Sequence, residues 1–388
     1  MKKLFLLISF LLVVGSVSAS GRRNISDFTR GGNRSAQSAA AKTDKTDAVY
    51  KSISQQYADG KISADSVVNL ALYHKVWSRP LAERCLQLVA DKSPRAAMEL
   101  GVLYAFSPEY AAKASEGVKL LESSAKVGYN DANCYLGLYN FNHNDYKTAK
   151  SYFDACSPMN LGIGYAALGG MYIEGKGVNE DPARARENYR QSALKGYPRG
   201  MALYGFNLRA SAAGKISYPD SFFWLYIAGD LGDDAARTIL YLPERNEFRG
   251  ESETANKAKE ALQWIRKVQS GKKIQNEQIY REGFLPSLKD RELAAEQGDD
   301  WARFYLGSMN YNGDFLNQNY KQVIHYYEPI ARNGKLPANL LALVNERLAE
   351  IYRDGKGTEV NTTKAAEYAR KAAQYGSLPA YLITENIN

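Results

Sequence analysis

Two segments of the sequence repeat one another at a fixed offset of 180 residues. Residues 168–196 carry a Leu-Gly pair, a Tyr three residues after the Gly, a Gly-Lys-Gly loop, two spaced alanines and a final Gly. Residues 348–376 carry the same pattern, with Ala in place of the first Gly. At about 100° per residue, the small and apolar positions of each half share one face of a helix. Each segment therefore predicts a helical hairpin that cannot bury its apolar face alone.

The pattern recurs at a nearly constant spacing along most of the chain. Gly stands at the second position of the Leu-Gly pair at 101, 137, 169 and 307, and at the same register position at 205, where Tyr precedes it. The register continues through positions 241, 277 and 349. The successive intervals are 36, 32, 36, 36, 36, 30 and 42 residues, and the longest one indicates an insertion at residues 335–341. A chain of 388 residues is too long for one ordinary core. We therefore predict an all-α, right-handed α-α superhelix (solenoid) of about seven to eight helix-turn-helix repeats.

These motifs resemble the Sel-one-like repeat family, a branch of the tetratricopeptide-like solenoids. The resemblance rests on the L-G-x-x-Y-x-x-G-K-G sequence at 168–177 and on the A-A-x-x-G junction at 294–298, and it covers residues 94–381. It implies protein-binding and scaffold roles, with no catalytic residues shared across the family. The departures cluster at residues 243–286, where the motifs are degenerate.

The chain divides into six predicted segments. Lys2 and Lys3, an apolar run at 4–14 and small residues before Ser20 indicate a signal peptide over 1–19. Residues 20–48 hold six cations against three aspartates, without apolar periodicity, and predict a disordered basic leader. We expect a helical N-terminal cap at 49–93 and Sel-one-like repeats at 94–242. Residues 243–290 should form a degenerate repeat or a helical insert, and residues 291–388 further repeats and the C-terminal end. We expect a periplasmic or secreted protein without a stable membrane anchor.

Motifs for chemistry are absent or poorly matched in the sequence. The three His and three Cys are scattered without metal-ligand spacing. A near match to a phosphate loop at 170–176 has Gly177 where Ser or Thr is required, and it ends a predicted helix instead of following a strand. We predict no enzymatic activity, catalytic residue, metal or cofactor. Because an exported protein meets little nucleic acid, we also expect no nucleic-acid partner despite the net charge of +8.

Cys134 and Cys156 form a candidate disulfide. Cys134 lies near the start of a first helix and Cys156 near the end of its partner, so an antiparallel hairpin brings them to similar height. The alternative is two packed thiols, since Cys156 occupies a buried small-residue position while Cys134 turns toward the other side. Cys85 has no evident partner in the sequence.

A candidate ligand-binding stripe comes from the register. Four residues after the Gly position stand arginines at four of the repeats, namely Arg209, Arg245, Arg281 and Arg353. In tetratricopeptide-like solenoids the end of the first helix faces the concave groove, where guanidinium groups suit the carboxylates of an acidic peptide. The alternative is that these arginines complement the helix dipole and the last carbonyls, and that Asn246, Glu282 and Asp354 neutralise the stripe.

The sequence favours a non-enzymatic scaffold that binds a protein or peptide in its concave groove, and the arginine stripe would suit an acidic partner. The alternative is a periplasmic scaffold for exopolysaccharide or cell-envelope assembly, which Tyr clusters on the concave face would favour. A hydrolase is a third, weaker alternative. The sequence sets no oligomeric state.

Overall fold

The computed structural model of the protein describes residues 36–75, 78–156, 162–208, 217–240, 284–313, 315–377 and 380. All regular structure in these ranges is helical, as the repeat pattern predicts. The described residues form two compact units, which divide inside one helix, between Ala167 and Leu168. The predicted signal peptide and most of the predicted 243–290 segment lie outside the described residues.

The first unit consists of one long helix followed by three helical hairpins and the start of a further helix. In chain order the helices are α1 Ala36–Ala58, α2 Ala64–Lys75, α3 Arg79–Val89, α4 Pro94–Phe106, α5 Ala114–Lys126, α6 Asp131–Asn142, α7 Tyr146–Cys156 and α8 Gly162–Glu174. A 3₁₀ helix at Pro108–Lys113 joins α4 to α5. The hairpins are α2/α3, α4/α5 and α6/α7, and the first helices α4 and α6 carry the Leu-Gly pair.

The second unit begins within α8 and continues the same alternation of first and second helices. Its other helices are α9 Pro182–Leu194, α10 Pro198–Leu208, α11 Tyr218–Asp230, α12 Asp234–Leu240, α13 Leu285–Glu296, α14 Asp300–Asn312, α15 Tyr320–Asn333, α16 Ala338–Asp354 and α17 Thr362–Gln374. Among the described ranges, none of these or the preceding helices has the length and apolarity needed to cross a membrane.

Local sequence signals set the helix boundaries. Several second helices begin after a polar N-cap whose side chain accepts a hydrogen bond from the first turn, as Asp181 does from the backbone N–H groups of Ala183 and Arg184. The Gly-Lys-Gly loops after α8 and α16 each place both glycines at a positive φ of 66–68°. That conformation disfavours other residues, which explains why the two loops share this motif.

The register glycines allow the two helices of a hairpin to touch. A Cβ added at Gly169 would lie 2.5 Å from Cε1 of Tyr189 on the second helix. Gly137 meets Phe153 in the same way, and Gly307 meets Tyr327. The aromatic ring of the second helix thus lies directly against the backbone of the first helix, which leaves no room for a side chain at these glycines.

The N-terminal part of the chain differs from the prediction. Residues 36–48 were expected to belong to a disordered leader, but they form the first half of α1. The segment Ala36–Lys42 is rich in Ala, which has the highest helix propensity, and this composition outweighs the lack of apolar period. Farther along α1, Asp47 pairs with Arg84 and Ile53 is buried, so the helix docks on the cap hairpin.

Candidate functional site

Arg353 is the member of the predicted arginine stripe that the structure describes. It lies in the last turn of α16 with 62% of its side chain exposed. Its Nε donates to Oδ1 of Asp354 over 2.7 Å and its Nη2 to Oδ2 over 3.1 Å. These hydrogen bonds lower the pKa of Asp354 to about 2 and raise the pKa of Arg353. The charge of Arg353 is thus compensated by the following residue, as the alternative interpretation expects.

The other three arginines, Arg209, Arg245 and Arg281, lie outside the described residues. The structure therefore does not bring the stripe together, and a ligand-binding stripe stays a prediction.

The first unit presents a polar surface that the sequence argument missed. Its members lie on three successive first helices, and we call them the first-helix surface: Asn69, Lys75, Arg95, Glu99 and Asp131. Arg95 Nη2 donates to Oδ1 of Asn69 over 2.9 Å, and Lys75 Nζ lies 3.9 Å from a carboxylate oxygen of Glu99. A signal was available, because Arg95 and Asp131 both stand six residues before a register Gly.

The carboxylates of the first-helix surface are partly withdrawn from water. Burial raises the pKa of Glu99, and the neighbouring Asp131 adds to the shift, while Lys75 and Arg95 oppose it. Burial also raises the pKa of Asp131. A partly desolvated carboxylate gains more from an incoming cation or N–H donor than an exposed one does. These carboxylates can therefore accept hydrogen bonds or an incoming positive charge at this surface.

Tyrosines of the Leu-Gly-x-x-Tyr motif connect successive hairpins. Tyr104 donates its hydroxyl to Glu83 of the preceding second helix over 2.8 Å, and Lys113 also donates to Glu83 over 2.6 Å. In the second unit, Tyr352 and Lys364 donate to Glu328 over 2.7 and 3.3 Å. Both tyrosine rings are buried. These tyrosines are structural, so they offer no stacking platform for sugar rings.

The second unit contains a fully buried cationic group at Arg347. Its Nη2 donates to Oδ1 of Asp230 over 2.7 Å, and its Nη1 donates to Tyr327 and Ser308 over 2.6 and 2.8 Å. Arg347 and Asp230 are 2% and 5% exposed at the side chain. Because this network is sealed from solvent, it fixes helix packing instead of meeting a ligand.

Cys134 and Cys156 are brought together as a disulfide between α6 and α7. Their Cα atoms are 5.3 Å apart, and both residues are buried. The sequence left two packed thiols as the alternative. Cys85 is a free, buried thiol, and burial raises its pKa to about 12, which disfavours the reactive thiolate.

The histidines occupy separate structural positions. His143 caps the end of α6, where its Nδ1 lies 2.8 Å from the carbonyl oxygen of Tyr139. His325 lies in α15 with its ring beside that of Tyr326, and burial lowers the pKa of His74 in α2. In the part of the chain that is described, no group of three His, Cys, Asp or Glu side chains could hold a metal ion.

These features define a tetratricopeptide-like solenoid, that is, a stack of helical hairpins. Within a hairpin, an aromatic side chain of the second helix packs on the register glycine of the first helix. The Sel1 repeat family matches residues 163–197, 302–335 and 344–377, which correspond to the hairpins α8/α9, α14/α15 and α16/α17. The chain therefore contains three Sel1 repeats.

Proteins that resemble this chain include one bacterial sequence and two solved structures. A stretch of 102 residues is 33% identical to an uncharacterized protein of Neisseria meningitidis serogroup B; it covers 25% of this chain and 21% of that protein. The chain thus matches about a fifth of the length of that relative. Among solved structures, c5321, a protective antigen of uropathogenic Escherichia coli strains with an SLR fold, shows 21% identity and a TM-score of 0.35, over 78% of this chain and 58% of that one. A Sel1 repeat protein from Oxalobacter formigenes shows 20% identity and a TM-score of 0.31, over 78% and 90%.

Proposed function

We propose that this protein is an exported, non-enzymatic scaffold that binds a protein partner on the first helices of its hairpins. Sel1 repeat proteins generally mediate protein–protein interactions, and the repeat scaffold is generally non-catalytic. We further propose that it is exported to the periplasm or the exterior, and that its binding surface lies on these first helices.

The first-helix surface is the observation that carries the binding proposal. It spans α2, α4 and α6, so an extended polypeptide lying across the hairpins would meet it at successive repeats. Lys75 and Arg95 supply donors, and Glu99 and Asp131 supply acceptors. An acidic partner would instead depend on the arginine stripe, of which Arg353 is already paired with Asp354.

A capture experiment tests this proposal. The mature chain, residues 20–388, is immobilised and exposed to an envelope extract, and the captured protein is then titrated against variants. Glu99→Gln combined with Asp131→Asn is expected to weaken binding about tenfold or more, because both acceptors lose their charge. Glu122→Gln, at an exposed position of the second helix α5, is the matched control. Equal affinities for all three proteins would place the partner elsewhere.

Export is supported by the charged and apolar pattern of residues 1–19 and by the disulfide, because disulfides persist in oxidising compartments. N-terminal sequencing of the protein from its native host is expected to start near Ser20. A start at Met1 would contradict export. The exopolysaccharide alternative predicts binding to envelope glycans, which a glycan titration of the same immobilised protein measures.

A further inference from the structure

Helix α16 begins one turn earlier than the other first helices of the repeats. It starts at Ala338, eleven residues before the register position Ala349. By comparison, α14 starts at Asp300, seven residues before Gly307, and α8 starts seven residues before Gly169. The insertion at 335–341, visible in the sequence only as a longer interval, thus forms an additional N-terminal turn and the short segment that precedes it.

This additional turn contacts a junction far away in the sequence. Asn339 Nδ2 donates to the carbonyl oxygen of Gly196 over 2.8 Å, although 143 residues separate them. A Cβ added at Gly196 would lie 2.5 Å from Cβ of Pro337 and 2.5 Å from Oδ1 of Asn339. The α9–α10 junction and the start of α16 are therefore in direct van der Waals contact.

The equivalent glycine of the last repeat shows that this contact is not a general property of the junction. Gly376 has a positive φ of 91°, as Gly196 has one of 80°, yet a Cβ at Gly376 would meet nothing within 4 Å. The left-handed backbone explains the glycine at both positions. Of these two glycines, only Gly196 also has a segment from another repeat packed against it.

The contact lies at the start of an apolar part of α16, whose Leu340 and Val344 belong to the same buried core as Met201 of α10. Successive residues from Leu340 to Asn345 are all buried, so this part of the helix is covered on every side. Four of the six are Leu or Val. The buried pair of Arg347 and Asp230 holds the same helix two residues beyond Asn345.

We propose that residues 337–341 form a clasp, which holds the α16/α17 hairpin against the α9–α10 junction and which uncovers the apolar first half of α16 when it opens. The clasp consists of one side-chain hydrogen bond and close contacts at a glycine, whereas the central part of α16 is held by a buried ion pair. The end of the helix can therefore separate without breaking the ion pair, in a local opening of the kind that hydrogen exchange detects.

Hydrogen exchange of the mature full-length chain, read by mass spectrometry, tests the clasp. Asn339→Ala removes the hydrogen bond, and Ala increases the helix propensity of α16, so faster exchange cannot reflect a weaker helix. We expect amides of residues 338–345 to exchange about tenfold faster in Asn339→Ala, with unchanged exchange in α4 and α6. Thr363→Ala, at an exposed position in the first turn of α17, is the matched control and is expected to change nothing at 338–345.

A pair of glycine variants provides the second test. Gly196→Ala and Gly376→Ala place the same side chain at the same kind of backbone conformation, so the strain common to both cancels in the comparison. We expect faster exchange at 338–345 only in Gly196→Ala. Exchange at 338–345 that stays at the wild-type rate in both Asn339→Ala and Gly196→Ala, or that rises equally in Gly376→Ala, would overturn the clasp.

Discussion

Arg347 and Asp230 form a buried ion pair across 117 residues of sequence, with Nη2 and Oδ1 2.7 Å apart. Arg347 lies in α16 and Asp230 is the last residue of α11, so the pair connects two hairpins of the second unit. Burial acts to lower the pKa of Arg347, but the charge of Asp230 outweighs burial and raises it. Asp230 therefore stabilises the charged form of the buried guanidinium.

Removal of the counter-charge is expected to be strongly destabilising. Asp230→Asn leaves the buried guanidinium uncompensated, and the free energy of unfolding should fall by about 3–5 kcal/mol, as urea denaturation measures. The double variant Asp230→Asn with Arg347→Met removes both charges. Its loss of unfolding free energy should be smaller than the sum of the losses in the two single variants. Additive losses would mean that the two side chains do not interact.

Substitutions at two adjacent glycines should differ in their effects. Gly169→Ala places a Cβ against the ring of Tyr189, and overpacking should cost about 1–3 kcal/mol. A Cβ added at Gly170 would meet no atom within 4 Å, and Ala reduces the conformational freedom of the unfolded chain. The stability of the Gly170→Ala variant should therefore equal or slightly exceed that of the wild type. Thermal denaturation of the two variants measures the difference, and equal melting temperatures would show that the helix packing is misassigned.

The repeat register was readable from the sequence because each hairpin encodes its own packing. Small residues, a following aromatic ring and a loop of fixed composition recur within about 36 residues, and local spacing fixes which faces meet. In the predicted helical cap, the apolar residues Val67, Leu70 and Val89 are buried.

Contacts between distant repeats could not be read in this way. The pairing of Asp230 with Arg347 and the contact of Asn339 with Gly196 depend on how several hairpins stack, which no local pattern records. The insertion before α16 was visible in the sequence as additional residues, but their contact was not. The charged positions of the first-helix surface were periodic, yet charged residues on exposed helix faces are too common to single them out.

Reduction of the disulfide should destabilise the first unit. Cys134 and Cys156 close a loop of 22 residues, for which the chain-entropy relation gives about 3 kcal/mol. Urea unfolding of the mature chain with and without a thiol reductant measures this loss, and Cys134→Ala with Cys156→Ala should abolish the response to reductant. Thiol titration under denaturing conditions should find one free thiol, that of Cys85; three free thiols would contradict the disulfide.

Two carboxylates should respond to pH with opposite signs. For Glu83, burial raises the pKa, but hydrogen bonds from Lys113 and Tyr104 outweigh burial and leave the pKa below the ordinary value of 4.5. Its stabilising contribution is present above pH 4.5 and is lost as the pH falls through the lowered pKa. For Glu99 the raised pKa favours the protonated form, so its contribution is present below pH 4.5 and is lost as the pH rises through the raised pKa.

Glutamine substitutions separate these two effects. At pH 7, Glu83→Gln should lower the free energy of unfolding by about 1 kcal/mol, while Glu99→Gln should raise it, because a partly desolvated charge is removed. Both differences from the wild type should shrink as the pH falls, that of Glu83→Gln as the pH passes through the lowered pKa of Glu83. Urea denaturation at pH 7 and at pH 3.5 measures them, and the same sign for both variants at pH 7 would refute the assignment.

The arginine stripe can be tested by charge reversal at two of its members. If the guanidinium groups bind an acidic partner, Arg245→Glu with Arg281→Glu should cost about 2–5 kcal/mol of binding free energy. If they only complement helix ends, stability falls by about 0.3–1 kcal/mol per site and affinity is unchanged. We expect the second outcome, because Arg353 at the equivalent position is already compensated by Asp354 and Glu282 follows Arg281 in the same way.

Arg353→Glu is the reference variant, and the measurements are a thermal melt and a titration against the captured partner. A large loss of affinity in the double variant at a nearly unchanged melting temperature would instead establish the stripe as the binding site.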